Sequence, residues 1–160
     1  MVLQLRLDER LVHGQVGVSW IRHLGATHLI VANDAVANDD FQKNLMKIGI
    51  PSETKCMIVT INKAIELLND PRSEHLKIFV IVQTPQDVLK IVDGVKSITE
   101  VNIANYGLVV KEKVPNKTVI GGFLSIDEED KKCIIEIQSK VSNTYHQPVI
   151  DLPKKKLKLS

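Results

Sequence analysis

Charged residues and one histidine are concentrated near the start of the chain. The segment RLDERLVHGQV holds Arg6, Arg10, two carboxylates (Asp8 and Glu9) and the imidazole of His13 within eight positions. A neutral imidazole is a nucleophile, and arginine guanidinium groups pair with phosphate oxygens through two parallel hydrogen bonds. The pattern therefore predicts a site that carries a phosphate on or beside His13.

A helix is predicted to begin directly behind this loop. The first N–H groups of a helix have no partner inside it, and the helix dipole favours negative charge at this end. Gly14 has no side chain and would let an anion approach the N–H groups of Gln15 and Val16. Together with Arg6, these three are the predicted phosphate-binding residues.

The scaffold that must position these residues is predicted to be an α/β fold. Runs of β-branched and apolar residues alternate with segments of helical period, which is the pattern of a mostly parallel sheet. We predict an open, twisted single-domain sheet with helices on both faces and the option of an antiparallel edge. The predicted strands are 2–7, 28–32, 55–59, 76–82, 100–104 and 148–152, and the predicted helices are 14–24, 35–48, 61–69, 85–94 and 126–141.

Two details of this prediction are specific enough to test. The spacing of Phe41, Leu45 and Ile48 predicts that these side chains point inward from their helix. Within 105–122, short extended pieces at 108–110 and 118–120 flank a turn at 111–117 and form either a hairpin or a loop. Ser125 and Glu128 have the spacing of a capping box for the last helix.

Polar residues follow each predicted strand. Ligands of open parallel sheets bind outside the carboxyl ends of the strands, so these residues are candidates for the rim of a site. For Asp34 and Thr84, capping of a helix is an equally good explanation. The rim candidates are Asn33, Asp34, Thr84 and Asn105.

Composition excludes several classes of function. The 160 residues, 44% hydrophobic and 25% charged, suit one compact domain, which we place at 1–153 with a basic tail at 154–160. The net charge is +2, but four lysines lie in the last eight residues, and only 4% of the chain is aromatic. A nucleic-acid surface is therefore not expected. The tail is interpreted as a solvated end, with an acidic partner or lipid headgroups as the alternative.

Other site types lack their motifs. The sequence has no G-x-x-x-x-G-K-[ST] loop, no G-x-G-x-x-G after the first strand, no H-E-x-x-H and no G-x-S-x-G. The cysteines, Cys56 and Cys133, are far apart and are expected to be reduced. No apolar run is long enough to cross a membrane and no signal peptide is evident, so we expect a cytoplasmic location. No metal or cofactor is expected.

Five segments in one order resemble the IIB components of the mannose family (mannose, fructose and sorbose, with an N-acetylgalactosamine subgroup) of the bacterial sugar phosphotransferase system. They are RLDERLVHGQVGVSW, VANDAVANDDFQKNLM, VQTPQDVLKIVDGV, VNIANYG and FLSIDEED. The resemblance implies an α/β fold and identifies His13 as the phosphorylated residue. It also implies a phosphorylated IIA component as donor, and a hexose or amino sugar carried by the membrane components IIC and IID as acceptor.

The resemblance also has limits. The V-G-V-S-W stretch is most similar to members that handle N-acetylgalactosamine, with mannose, fructose or sorbose as the alternative. Many members have a paired-glycine turn where this chain has Ala104-Asn105-Tyr106-Gly107, and the lysine-rich end also departs from the family pattern. The chain would associate with the inner face of the membrane through IIC and IID. Assembly of several copies stays open.

The predicted mechanism makes His13 the nucleophile and gives Arg10, with Arg6, the task of spreading charge on the phosphoryl oxygens. Asp8 orients the ring, holds Arg10, or forms a structural ion pair with Arg6. The other histidines are interpreted as surface or interior residues, and Arg22, Lys111 and Lys113 as possible rim charges. Rival hypotheses are a non-catalytic adaptor that senses an anion, a nucleic-acid contact through the tail, and phosphoryl transfer to Cys56.

Overall fold

The structure, a computed structural model, describes residues 1–109 and 117–159. The strands are β1 (Val2–Asp8), β2 (His28–Ala32), β3 (Lys55–Val59), β4 (Ile78–Val82), β5 (Val101–Asn105), β6 (Thr118–Ile120), β7 (Leu124–Ile126) and β8 (Thr144–Tyr145). The helices are α1 (Gly14–Leu24), α2 (Asp34–Ala37), α3 (Asp40–Ile48), α4 (Ile61–Asn69), α5 (Pro85–Gly94) and α6 (Glu128–Lys140), with a 3₁₀ helix at Pro71–His75.

A six-stranded parallel sheet in the order β3-β2-β4-β1-β5-β8 forms the centre of this part of the chain. β1 pairs with β4 on one side and with β5 on the other. Its carboxyl end therefore opens toward the loops that follow both neighbours, where ligands of such sheets bind. The mostly parallel α/β prediction is confirmed. The antiparallel pairing lies in a separate two-stranded sheet of β6 and β7.

Helices cover both faces of the sheet. On one face, Val88 and Ile91 of α5 and Ile134 of α6 belong to the same buried cluster as Leu5 and Leu7 of β1. On the other face, Trp20 and Ile21 of α1 pack with Leu29, Val31 and Phe79. None of the described helices is both long and apolar enough to span a membrane.

One row of side chains on β1 is polar although it is buried. Gln4, Arg6 and Asp8 are each 1% exposed and alternate with the apolar Leu5 and Leu7. The Gln4 amide donates to the Tyr145 hydroxyl at 2.9 Å, and Arg6 donates to the carbonyl of Pro148 at 2.9 Å. Because buried polar groups are costly unless they are hydrogen-bonded, this row links β1 to β8 and to the segment that follows it.

The prediction that one apolar face of α3 points inward is wrong. Phe41, Leu45 and Ile48 are 71%, 53% and 80% exposed. The helix packs against the core through Met46 instead, and Ile50 follows just beyond its end. Because this short helix touches the core through another side, the predicted apolar stripe faces solvent.

The predicted final strand at 148–152 is also wrong. Strand β8 is shorter and lies earlier, where Thr144 and Tyr145 pair with β5. Beyond β8, backbone carbonyls accept hydrogen bonds from side chains instead of from a neighbouring strand. Asn102 Nδ2 donates to the carbonyl of Gln147 at 2.9 Å, and Arg6 donates to the carbonyl of Pro148. The backbone therefore leaves the sheet at this point.

The interpretation of the lysine-rich end as solvated holds for its four lysine side chains, which are exposed, but not for its backbone and leucines, which are docked. Lys154 Nζ lies 2.9 Å from a Glu100 carboxylate oxygen, and the backbone of Lys155 pairs with that of His146. Leu157 is 5% exposed within the main core, and Leu159 packs against it. The lysine side chains reach solvent, whereas Leu157 and Leu159 anchor the segment.

The structure answers part of the question whether residues 105–122 form a hairpin or a loop. Strand β6 pairs with β7 across a turn that contains Gly121 and Gly122, whereas Leu108 and Val109 lie in a bend. The rest of the predicted 108–110 piece and the 111–117 turn, with Lys111 and Lys113, lies outside the described residues apart from position 117. Helix α6 is capped by Asp127, which accepts from the Asp130 N–H at 2.8 Å, rather than by Ser125.

Replacement of Leu157 by alanine should lower the free energy of unfolding by about 2–4 kcal/mol, because it removes a buried side chain and leaves a cavity. Urea denaturation followed by circular dichroism measures this change. Lys158→Ala is the matched control, since Lys158 is exposed one position away. Equal stability of the two variants would show that the end of the chain is not docked.

Candidate functional site

A cleft of about 260 Å³ opens at the carboxyl ends of β1 and β5. Its walls come from the loops after these two strands, from the β6–β7 turn and from the segment after β8. The lining residues are Glu9, Arg10, His13, Asn105, Tyr106, Leu108, Val109, Gly122, Phe123, Pro148 and Val149. His13 is the only histidine among them in the part of the chain that the structure describes.

His13 stands at the N-terminal cap of α1. Its backbone is extended and its side chain makes no capping hydrogen bond, so the imidazole is not used to close the helix. The residue is 31% exposed, yet its Nε2 atom is buried and lies 3.5 Å from Asp8 Oδ1, longer than a good hydrogen bond. The buried edge of the ring therefore faces Asp8, and the accessible edge carries Nδ1.

The carboxylate of Asp8 is held from several directions. Arg6 Nη2 lies 3.2 Å from Oδ2, and Asn105 Nδ2 donates to the same oxygen at 3.2 Å. The backbone N–H of Arg10 donates to Oδ1 at 3.1 Å. Asp8 is 1% exposed, so these partners fix the carboxylate beneath the imidazole of His13.

The pKa of Asp8 lies below its ordinary value of 3.8. Burial acts to raise this pKa, but the neighbouring His13 ring and the charge of the Arg6 guanidinium lower it by more. Asp8 is therefore a carboxylate at neutral pH. A negative charge next to Nε2 favours a proton on that nitrogen.

Arg6 lies behind Asp8 and not at the cleft surface. It is 1% exposed, and its guanidinium lies 4.7 Å from the centre of the Trp20 ring. It also donates to the carbonyls of Gln147 and Pro148. Every one of these contacts is internal, so Arg6 is placed to fix Asp8 rather than to contact a phosphate directly.

Arg10 has the opposite setting. Its side chain is exposed and lines the cleft beside His13, and its guanidinium makes no ion pair or hydrogen bond with a described residue. A free guanidinium at this place can pair with the oxygens of an incoming phosphoryl group. Among the predicted arginines, Arg10 is the one that the structure brings to the cleft.

The start of α1 is built as predicted. Gly14 adopts a left-handed backbone conformation with φ of +49°, which glycine reaches at little cost. The first turn carries no acidic side chain. The N–H groups of Gln15 and Val16 therefore belong to a helix terminus that favours an anion.

Three of the predicted rim residues stabilise the fold through internal hydrogen bonds. Asn33 caps α2 by accepting from the Val36 N–H, and Thr84 caps α5 by accepting from the Asp87 N–H. Asp34 accepts from the N–H of Ile61 at 2.9 Å and so joins α2 to the start of α4. None of the three lines the cleft.

Asn105 is the rim residue that the structure brings into the site, through its bond to Asp8. The turn after it requires glycine, because a Cβ atom on Gly107 would lie 1.8 Å from the Ser125 carbonyl oxygen and the backbone φ is +87°. Asn105 and Gly107 therefore fix the wall of the cleft next to His13.

Glu9 is a site residue to which the sequence patterns give no role. It is 5% exposed, and its Oε2 accepts from the N–H groups of Leu108 and Val109, each at 3.2 Å. Its carbonyl accepts from Gln83 Nε2 at 3.1 Å. Glu9 thus holds the loop after β5 against the loop after β1, a contact between residues about one hundred positions apart.

The matching family model gives this geometry a context. The model for the PTS system sorbose subfamily IIB component matches residues 2–152. The chain belongs to this family. It is therefore a phosphoryl carrier of a phosphotransferase system (PTS) that transports sugars.

Similar proteins include the N-acetylgalactosamine-specific phosphotransferase enzyme IIB component 1 of Escherichia coli K12, 38% identical over 151 residues, which are 92% of this chain and 90% of that protein. The crystal structure of the E. coli component superimposes with a TM-score of 0.85 at 36% identity, covering 99% of this chain and 100% of the other. The mannose-specific EIIAB component of E. coli K12 is 29% identical over 98% of this chain and 47% of its own length.

Replacement of Asp8 by asparagine should destabilise this IIB component by about 3–5 kcal/mol at neutral pH, because it leaves the buried Arg6 charge unpaired. Because the folded-state pKa of Asp8 is lowered, its ionised form stabilises the fold above the unfolded value of 3.8. This contribution is lost as the pH falls from there through the folded-state pKa.

The difference in free energy of unfolding between wild type and Asp8→Asn should therefore shrink below pH 3.8. Chemical denaturation across a pH series measures it. A difference that stays constant down to the acid transition would contradict a lowered pKa.

Proposed function

We propose that His13 is the phosphoryl-carrying residue of this IIB component. It accepts the group from a phosphohistidine of the IIA component and passes it to a sugar bound by the membrane components IIC and IID. The observation that carries the proposal is the setting of His13, whose ring faces a buried carboxylate and lines the same cleft as the exposed Arg10.

The acceptor atom in this proposal is Nδ1. With the proton on Nε2, the nitrogen that faces the Asp8 carboxylate, the lone pair of Nδ1 is left for the attack. As the bond from Nδ1 to phosphorus forms, the bond from phosphorus to the donor nitrogen breaks, and that nitrogen takes the electron pair. Attack through Nε2 would instead bring the phosphoryl oxygens against the charge of Asp8. The activity is therefore that of a protein-Nπ-phosphohistidine–sugar phosphotransferase.

Arg10 and the start of α1 stabilise the phosphoryl group during transfer. The Arg10 guanidinium pairs with the equatorial oxygens, and the N–H groups of Gln15 and Val16 add the favourable field of the helix terminus. Arg6 acts through Asp8. These groups are preorganised, so the protein does not have to rearrange in the transition state.

The mouth of the cleft suits a protein donor. Leu108 and Val109 are 53% and 55% exposed at its edge, and Glu9 holds their backbone in place. IIB components of this system work with IIA and with membrane components IIC and IID. We propose that a docked IIA component covers these two side chains while it presents its phosphohistidine to His13.

The sugar we propose is of the N-acetylgalactosamine type, with mannose, fructose or sorbose as the alternative. The 38% identity with the N-acetylgalactosamine-specific component supports this choice. Because IIC and IID bind the sugar, we place the IIB component at the inner face of the membrane during the second transfer.

Phosphoryl transfer to Cys56 is disfavoured by its surroundings. Cys56 lies within β3 at the edge of the sheet, and burial raises the pKa of its thiol to about 11. A thiol of this kind is almost entirely protonated at neutral pH and is a poor nucleophile. An adaptor that only senses an anion would gain no covalent phosphate, which distinguishes it from a phosphoryl carrier.

We expect His13→Ala to abolish phosphoryl acceptance without loss of the fold, because it removes the nucleophile from a partly exposed position. Arg10→Ala should slow acceptance by about 10²–10³-fold, since it removes one charge-stabilising group. The assay mixes each variant with phosphorylated IIA and measures the added phosphate by intact mass over time.

Arg22→Ala is the matched control, because Arg22 is also an exposed arginine but lies in the last turn of α1 and outside the cleft. It should accept phosphate at the wild-type rate. Phosphate on the His13→Ala variant would refute the assignment of His13.

The sugar is identified by transport into vesicles that contain the cognate IIC and IID components. With phosphorylated IIB supplied on the IIB side, N-acetylgalactosamine should emerge phosphorylated in preference to mannose, fructose and sorbose. Phosphorylation of one of these three in its place would correct the sugar and leave the role of His13 intact.

A further inference from the structure

The amide side chain of Asn102 takes the place of a strand partner beneath the cleft. Asn102 is fully buried on β5, where it is in register with Arg6 of β1 and Tyr145 of β8. Its Oδ1 accepts from the N–H of Gln147 at 3.0 Å, and its Nδ2 donates to the carbonyl of Gln147 at 2.9 Å. One side chain therefore binds both backbone polar groups of Gln147.

A primary amide suits this pair of hydrogen bonds. It carries a donor and an acceptor in one plane, as a peptide group does, and a glutamine side chain would be longer by one methylene. The next residue, Pro148, has no N–H and cannot continue the ladder of strand β8. The bonds from Asn102 therefore decide where the backbone of Gln147 lies after it leaves the sheet.

The two carbonyls that follow from this placement are the acceptors of the buried Arg6 guanidinium. Arg6 Nη1 donates to the carbonyl of Gln147 at 3.4 Å, and Nη2 donates to the carbonyl of Pro148 at 2.9 Å. The same Nη2 donates to Asp8 Oδ2 at 3.2 Å and so uses both of its hydrogens. Movement of the Pro148 carbonyl would therefore turn the guanidinium and shift the Asp8 carboxylate.

We infer that Asn102 is a positioning residue for phosphoryl transfer to and from His13, an inference that rests on the proposed role of His13. It acts through the hydrogen bonds that end at Asp8, whose carboxylate lies 3.5 Å from the buried Nε2 of the imidazole. Asn102 itself lies outside the lining of the cleft. Loss of a partner that orients a reacting group typically lowers activity by roughly 10- to 100-fold.

Gln4 belongs to the same buried row but makes no hydrogen bond to the carbonyls that bind Arg6. Its Oε1 accepts from Asn102 Nδ2 at 3.3 Å, and its Nε2 donates to the Tyr145 hydroxyl. Gln4 is 1% exposed, so its loss also leaves buried polar groups without partners. Substitution of Gln4 lowers stability without releasing the Pro148 carbonyl, and it is therefore the matched control.

The first test measures phosphoryl acceptance from phosphorylated IIA. Asn102→Leu keeps the size of the side chain but removes both bonds to Gln147. At saturating IIA it should accept about tenfold more slowly than the wild type, with the half-saturating IIA concentration changed by less than about twofold. Gln4→Met should accept at the wild-type rate. Asn102→Ser keeps one hydrogen-bonding group, should be slowed about threefold, and carries the test if the leucine variant does not fold.

The Arg6 guanidinium supplies a second readout, which a change in overall stability does not move. Its Nη groups are held by two carbonyls and a carboxylate, so the guanidinium should rotate slowly and give separate ¹H–¹⁵N signals at low temperature. Asn102→Leu should broaden or merge these signals, whereas Gln4→Met should leave them separate. Circular dichroism checks that each variant is folded.

The Arg6→Lys background tests whether Asn102 acts through Arg6. Lysine keeps the positive charge but lacks the fork that joins the carbonyls to Asp8. If Asn102 acts through this fork, Asn102→Leu should slow acceptance by less than about twofold more in the Arg6→Lys background.

Four outcomes would overturn the inference. Asn102→Leu, or Asn102→Ser in its place, could accept at the wild-type rate, or the Arg6 signals could stay unchanged. Gln4→Met could be slowed as much as the Asn102 variants, which would make lost stability the cause. The full slowing could persist in the Arg6→Lys background, which would show another route. Failure of the proposed function is distinct, since His13→Ala would then accept phosphate.

Discussion

The site depends on the carboxylate of Asp8, which faces the buried Nε2 of the His13 imidazole at 3.5 Å. It is buried at the end of the central strand and is held by Arg6, by Asn105 and by the backbone of Arg10. A charge that is fixed in this way attracts one nitrogen of the ring and leaves the other for chemistry. In the proposed function, this contact beneath the cleft is what makes Nδ1 the phosphoryl acceptor.

This contact couples the site to the far end of the chain. A buried ion pair is stable only when the remaining hydrogen bonds of both partners are satisfied. Arg6 meets that need through the carbonyls of Gln147 and Pro148, in the segment after β8. The backbone leaves the sheet there, and the lysine-rich end docks through Leu157. The position of Asp8 thus depends on contacts made about 140 residues away along the chain.

Local patterns in the sequence predict the parallel sheet, the bounds of α1 and the cluster from Arg6 to His13, because these depend on neighbouring residues. The hydrogen bond from the Leu108 N–H to Glu9 forms only because β1 and β5 are neighbours in the sheet, and no local sequence pattern predicts which strands are neighbours. The spacing of the apolar residues of α3, such as Phe41, predicts that they share one side of the helix. It does not predict whether that side faces the core or solvent. Alternation of leucine with lysine at the chain end, as at Leu157, is a signal of docking that the net charge obscures.

The most direct test of the account is to identify the phosphorylated atom. The chain is labelled with ¹⁵N in its histidines, phosphorylated by the IIA component, and studied by long-range ¹H–¹⁵N correlation with detection of coupling to phosphorus. The account predicts one phosphorylated histidine, His13, with phosphorus coupled to Nδ1 and a proton on Nε2 facing Asp8. Coupling to Nε2, or phosphate on any other residue, would contradict it.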